Sequence, residues 1–179
     1  MMIVIVLGTG RCGITTTAKF INSQKNVTCT DEARLLPWKV NHKKLLKACA
    51  AIQSQCTPTR GDAAFYYLPY CERISKLLIN VRFVCVRLKK RKVIDGFLAS
   101  ERNYFRGNKK KWDRCLPTYI GMSHIDALSR YYDEYYEQAN KLSESLPFQI
   151  FDVEKTLNTE LGKKNLLQFL DILDRKAIE

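Results

Sequence analysis

The sequence predicts a three-layer α/β domain, a central and mainly parallel sheet flanked by helices, and three observations carry that prediction. The continuously apolar run Ile3–Leu7 passes through Gly8-Thr9-Gly10 into a helix-like stretch, Thr15–Ile21. A second β-branched run, Val81–Val86, again precedes a helical segment. A third, Phe148–Val153, follows a long amphipathic stretch from Ile125 to Leu142. Apolar strands that alternate with helices suit a parallel sheet covered on both faces.

The remaining elements fall between these. A short extended piece near Val27-Thr28-Cys29 precedes a turn at Leu36-Pro37-Trp38 and a basic helical stretch around Lys43–Lys47. Pro58-Thr59-Arg60-Gly61-Asp62 reads as a connection, followed by a helix over Tyr67–Leu78 in which Leu68, Cys71, Ile74 and Leu78 keep helical spacing. Another helix begins among Lys89–Lys92, and Leu166–Leu170 belongs to a terminal one. Residues 102–117 are basic and irregular, with Gly107–Trp112 the best candidate for a mobile loop. At 179 residues and 46% hydrophobic content, one domain spanning 1–179 is expected, with no repeat or linker.

Thirty Lys+Arg against eighteen Asp+Glu give a net charge of +12, a field that gathers anions or serves solubility alone. Nucleic acid is disfavoured as the partner, because no aromatic RNA-binding pair, helix-turn-helix signal or basic-aromatic repeat is present. The seven cysteines form an odd set without a CxxC pair, which argues for reduced thiols and a cytoplasmic location over a disulfide framework or a zinc site. The apolar opening lacks a positive leader and is too short to span a membrane.

Gly8-Thr9-Gly10-Arg11-Cys12-Gly13-Ile14-Thr15 sits between the first strand and its helix, where backbone N–H groups and a helix N-terminus can face a phosphate. The nucleotide-triphosphatase pattern G-x-x-x-x-G-K-[ST] is met at Gly8, Gly13 and Thr15, yet Ile14 stands at its lysine. That loses the point charge a kinase or ATPase directs at the β- and γ-phosphates. A permanent cation stands three residues earlier, at Arg11.

With these residues the chain resembles the P-loop sulfotransferases that use 3′-phosphoadenosine 5′-phosphosulfate, especially their compact bacterial and phage-like members. Gly10-Arg11-Cys12-Gly13-Ile14-Thr15 is similar to their G-x-[RK]-[SC]-G-T-[TS] signature, with Ile14 in place of a threonine. The resemblance continues through Gly61-Asp62, Tyr67–Glu72, Phe83–Arg87, Tyr131–Tyr136, Phe151–Asn158 and Leu167–Leu170. It implies a P-loop fold and a nucleotide held by Gly10, Arg11, Cys12, Gly13, Ile14, Thr15 and Thr16, with 3′-phosphoadenosine 5′-phosphate as the product. It also implies a 3′-phosphate subsite at Arg87, which Lys90 supplements, although the expected serine is replaced by Asp95 in one register and Gly96 in the other.

Sulfuryl transfer is an in-line displacement in which positioning and positive charge do most of the catalysis, and Arg11 is the first choice for that charge. No metal is called for, since Arg11 and the helix N-terminus can neutralise the leaving phosphate. The resemblance points to Glu32 as the base acting on a hydroxyl or amine of a small-molecule or carbohydrate acceptor, with Asp31 and Asp62 as rivals. Trp38, Phe65, Tyr66, Tyr67 and Tyr70 are candidates for an acceptor pocket and equally for the core. Two other readings stay open: a non-catalytic nucleotide- or anion-binding module, and a divergent P-loop nucleotide kinase.

Overall fold

β1 (Met2–Leu7) is buried at every position, as a run of Ile, Val and Leu without alternation requires of a strand covered on both faces. In this computed structural model, which describes residues 1–100 and 113–172, β1 is the centre of a five-stranded sheet. The expected mobile loop at Gly107–Trp112 lies outside the described residues. The other strands are β2 (Val27–Asp31), β3 (Thr59–Ala63), β4 (Val81–Arg87) and β5 (Phe148–Asp152). They stand in the order β2-β3-β1-β4-β5, and every pair is parallel.

β3 corrects the reading of Pro58–Asp62 as a connection. Its polar residues hide the strand from any hydrophobic pattern, but Arg60, Gly61 and Asp62 each have a reason to be there. Gly61 lies so close to β1 that a Cβ there would stand 1.9 Å from the Val4 carbonyl oxygen. The Arg60 guanidinium donates to the carbonyls of Thr57 and Gln53. Asp62 is buried, and its carboxylate accepts from Thr30 Oγ1 at 2.6 Å, Tyr67 Oη at 2.7 Å and the Ala33 N–H at 3.2 Å. Those bonds replace the water that burial removes.

The helices are α1 (Ile14–Asn22), α2 (His42–Gln53), α3 (Cys71–Leu77), α4 (Lys90–Leu98), α5 (His124–Ser143), α6 (Val153–Asn158) and α7 (Glu160–Phe169). The helix expected across Tyr67–Leu78 splits into a 3₁₀ stretch, Phe65–Tyr70, and α3, since Pro69 brings no N–H to an α ladder. Asn41, Ser123, Asp152 and Thr159 cap α2, α5, α6 and α7 by accepting from N–H groups of the first turn. All seven cysteines are free thiols, and six are buried. Among the described residues no helix is long and apolar enough to cross a membrane.

The topology places one crevice above all others. β1 and β3 are neighbours, yet α1 carries the chain from β1 to β2 on one flank, and α3 carries it from β3 to β4 on the other. Where connections diverge in this way, their loops part and open a cleft at the carboxyl ends of the strands.

Candidate functional site

That cleft holds a cavity of about 490 Å³, a size suited to a small-molecule ligand. Its described lining comprises Gly10, Arg11, Gly13, Ile14, Thr15 and Thr16 from the loop after β1, Asp31 and Glu32 from the end of β2, and Phe65, Phe97 and Leu116. Six of the seven loop residues singled out in the sequence, and the candidate base, thus meet in one place.

The loop owes its shape to three departures from ordinary backbone within four residues. Gly10 (φ 82°), Arg11 (φ 52°) and Gly13 (φ 94°) are all left-handed. An arginine there is uncommon, and such conformations cluster where a ligand is gripped. Gly13 is further hemmed in, because a Cβ on it would come within 2.8 Å of Val153 Cγ2 at the start of α6. It is also the N-cap of α1, and no side chain caps that helix. The first N–H groups of α1 have no acceptor within the helix and adjoin the cavity, as an anion site requires. Thr17 turns away, its Oγ1 donating to the Gly13 carbonyl at 2.9 Å.

Two loop residues have roles that sequence could not separate. Arg11 is exposed, and its stem lies over Gly96 of α4: a Cβ on Gly96 would stand 3.3 Å from Arg11 Cβ. Cys12 is fully buried beneath the loop, where burial pushes its thiol up. Its side chain therefore belongs to the loop's foundation, and only its backbone remains to face a ligand.

Across the cavity Glu32 is half-buried and left-handed (φ 54°). Its N–H donates to the Ala63 carbonyl at 2.9 Å, and Asp62 holds the N–H of the next residue, so the turn is pinned to β3 from both sides. Burial first, then the charges of Asp31 and Asp62, push the Glu32 carboxyl up to about 7. Asp31 is exposed on the same wall. Asp62 is already hydrogen-bonded through both oxygens, which suits it to bracing the turn more than to taking a proton.

Arg87 and Lys90 stand elsewhere. Arg87 is exposed at the end of β4, while Lys90 Nζ pairs with Asp133 Oδ2 at 2.6 Å and lies 6.0 Å from the centre of the Tyr132 ring. Neither is among the described lining of the cavity. Of the aromatic candidates Phe65 lines the cavity; Tyr66, Tyr67 and Tyr70 are buried core, and Trp38 packs edge-on against Tyr131 at 5.8 Å. Phe97 and Leu116 complete the apolar wall and were missed, Leu116 because it sits in a stretch read as irregular. The signal for Phe97 was its place directly after Gly96, four residues beyond the buried Val93 on the same face of α4. Among the described residues no group of three or more His, Cys, Asp or Glu side chains is placed to hold a metal ion.

No family model matches the chain, and no curated protein sequence matches it. Solved structures do. The YorR protein of Bacillus subtilis, crystallised in complex with phosphorylated GDP, superposes with a TM-score of 0.54 at 14% identity over 93% of this chain and 95% of that one. A deoxyadenosine kinase from M. mycoides with bound dCTP gives 0.45 at 13% identity, covering 95% of this chain and 99% of the other. A designed protein of the P-loop NTPase fold gives 0.32 at 14% identity over 80% and 96%. At such identities a likeness concerns architecture, and with the glycine loop between β1 and α1 it makes this chain a three-layer α/β protein of P-loop fold.

Proposed function

We propose that this protein is a sulfotransferase that takes 3′-phosphoadenosine 5′-phosphosulfate at the loop after β1 and transfers its sulfuryl group to a hydroxyl or amine. The observation that carries the reading is that a single cavity faces a lysine-free phosphate loop, with Arg11 as its cation, against a carboxyl poised near neutrality. The fit to the nucleotide rests on the left-handed cradle and on the uncapped start of α1.

Within that reading Glu32 accepts the proton of the acceptor as its oxygen or nitrogen forms a bond to sulfur. The bond from sulfur to the 5′-phosphate oxygen breaks, its electron pair stays on the phosphate, and Arg11 with the N-terminal N–H groups of α1 neutralises the charge that develops there. A carboxyl titrating near 7 suits this work, since it is both available as a base and strong enough to take a proton. Arg87 and Lys90 at the end of β4 are the proposed contacts of the 3′-phosphate. The acceptor enters past Phe65, Phe97 and Leu116, and the reaction would take place in the cytoplasm.

A second reading, a P-loop nucleotide kinase, is favoured by one observation: the B. subtilis protein of similar fold was crystallised with phosphorylated GDP. Against it stands Ile14 at the lysine position. Calorimetry separates the two. The sulfotransferase reading expects 3′-phosphoadenosine 5′-phosphate to bind more tightly than ATP or GTP with Mg²⁺; the opposite order overturns it in favour of a kinase. Tight binding of the bisphosphate, with no transfer from radiolabelled donor to any hydroxyl or amine acceptor offered, would point to the non-catalytic module.

A further inference from the structure

α5 presents four tyrosines in two columns, Tyr131 with Tyr135 and Tyr132 with Tyr136, because residues four apart lie one above the other on a helix. Each hydroxyl donates to a backbone carbonyl at the edge of the sheet where the cavity opens. Tyr131 Oη reaches the Thr9 carbonyl at 3.1 Å and Tyr135 Oη that of Phe65 at 3.1 Å. Tyr136 Oη reaches the Val86 carbonyl at 2.8 Å and Tyr132 Oη that of Leu88 at 2.8 Å. One helix thereby ties the segments that follow β1, β3 and β4.

The bond to Thr9 bears on the phosphate loop directly. A trans peptide is planar, with its C=O and N–H pointing in opposite directions, so fixing the Thr9 carbonyl fixes the Gly10 N–H on the far side. Beneath the loop the Cys12 side chain is fully buried, its Sγ 2.5 Å from where a Cβ on Gly8 would stand. The first peptide of the loop is thus held by Tyr131, above a floor to which the buried Cys12 side chain belongs. Phe97 closes the same point: its ring lies 6.5 Å from that of Tyr131, and its Cζ would be 3.2 Å from a Cβ on Gly10. Immediately beyond come the left-handed residues Gly10 and Arg11.

We infer that Tyr131 is a clamp, a positioning residue that sets the phosphate loop in its anion-ready shape before any ligand arrives. The inference rests on the reading of this loop as the nucleotide site but not on the reaction carried out there. Setting the loop in advance spares the ligand the cost of ordering it, so loss of the clamp should appear in affinity more than in stability.

The test compares Tyr131→Phe with Tyr70→Phe. Tyr70 is equally buried, and its hydroxyl donates to the Pro37 carbonyl at 2.5 Å and accepts from the Asn41 N–H, away from the cavity. Its loss removes these two hydrogen bonds from the fold and none from the loop after β1. By calorimetry with 3′-phosphoadenosine 5′-phosphate and with inorganic pyrophosphate, Tyr131→Phe should bind about three- to tenfold more weakly, while Tyr70→Phe lowers Tm and leaves affinity unchanged. Equal affinity in Tyr131→Phe and the wild type, or equal loss in both variants, overturns the inference. Should the wild-type protein take up neither probe, the nucleotide-site reading falls and amide NMR still judges the clamp. The ¹⁵N-amide resonances of Gly10, Arg11 and Gly13 should be single and sharp in the free wild type and broadened or shifted in Tyr131→Phe; unaltered resonances overturn the inference.

Discussion

β1 and β4 lie side by side, point the same way and each run into a cationic segment, yet among the described residues only the segment after β1 supplies a cation, Arg11, to the lining of the cavity described above. After β1 there is one arginine, three left-handed residues and a helix start that no side chain caps. After β4 there is far more charge, Arg87 and then Lys89-Lys90-Arg91-Lys92, but much of it is already paired. Lys90 meets Asp133, Lys92 Nζ lies 2.5 Å from Glu154 Oε1, and Arg91 Nε lies 3.9 Å from Asp95 Oδ2. The contrast teaches that density of charge in a sequence does not by itself mark the lining of a cavity. What shapes the cavity after β1 is backbone bent into a cradle, which exposed lysines on a helix do not supply.

The comparison is most exposed at Glu32, where the largest effect is expected. With an acceptor in hand, Glu32→Gln should lower kcat by roughly 10²–10⁴ while calorimetric affinity for the bisphosphate stays nearly intact, because a base acts on the acceptor proton. The wild-type rate should climb with pH and level off above about 7, where the carboxyl is ionised. Stability should move the other way. A carboxyl raised in the fold contributes fully below its unfolded value near 4.5, and that contribution is lost as pH rises through about 7. Glu32→Gln should therefore raise Tm relative to wild type at pH 8 and not at pH 4. A variant with full turnover, accompanied by collapse of turnover in Asp31→Asn, would move the base one residue along the same wall.

Next in size is the difference between the two strand ends. Arg11→Ala removes a charge-assisted fork of about 1.5–3 kcal/mol and should weaken bisphosphate binding by about tenfold or more. Arg87→Ala should leave binding of 5′-phosphosulfate nucleotides that lack the 3′-phosphate untouched and should erase any preference for nucleotides that carry it. If both variants weaken every nucleotide alike, the division of labour between β1 and β4 is wrong.

How much of this was legible beforehand differs between the same two regions. β1, β4 and β5 announce themselves as apolar runs, and the phosphate loop as glycines between a strand and a helix, because those patterns are local. β3 does not, since its reasons for being a strand are the close passage of Gly61 past Val4 and the buried partners of Asp62, all distant in sequence. Among the residues lining the cavity, Arg11 was legible from its place after β1, and Glu32, with Asp31 beside it, from the family resemblance. Phe97 and Leu116 reach the cavity only through packing of α4 and of the segment before α5. The inward turn of Cys12 was equally out of reach, because sequence records which residue a loop carries and not which way it faces.

Gly96 joins the two ends and gives a smaller, diagnostic effect. The serine that the sulfotransferase resemblance leads one to expect is absent there, and the stem of Arg11 lies over the vacant position. Gly96→Ser places a Cβ 3.3 Å from Arg11 Cβ and 3.7 Å from its Cγ, which obliges the arginine to shift by a few tenths of an ångström. Calorimetry should then show bisphosphate affinity falling about two- to fivefold, the scale of mild overpacking. Tighter binding would mean that the new hydroxyl reaches the 3′-phosphate, and that the β4 end is the stronger subsite.

The smallest effect tests whether Lys90 is available at all. Its ammonium is committed to Asp133 at 2.6 Å, an ion pair whose members are 35% and 63% exposed and which therefore contributes little to stability. Asp133→Asn should leave Tm within about 2 °C, since surface pairs contribute about 0–1 kcal/mol. If Lys90 is a contact of the 3′-phosphate, releasing it should tighten bisphosphate binding by about two- to threefold at low salt, and the gain should fade as ionic strength rises towards about 1 M, where the screening length falls to about 3 Å. A nucleotide lacking the 3′-phosphate should show no gain. An identical response from both nucleotides would make Lys90 part of the general positive field, leaving Arg87 alone to recognise the 3′-phosphate.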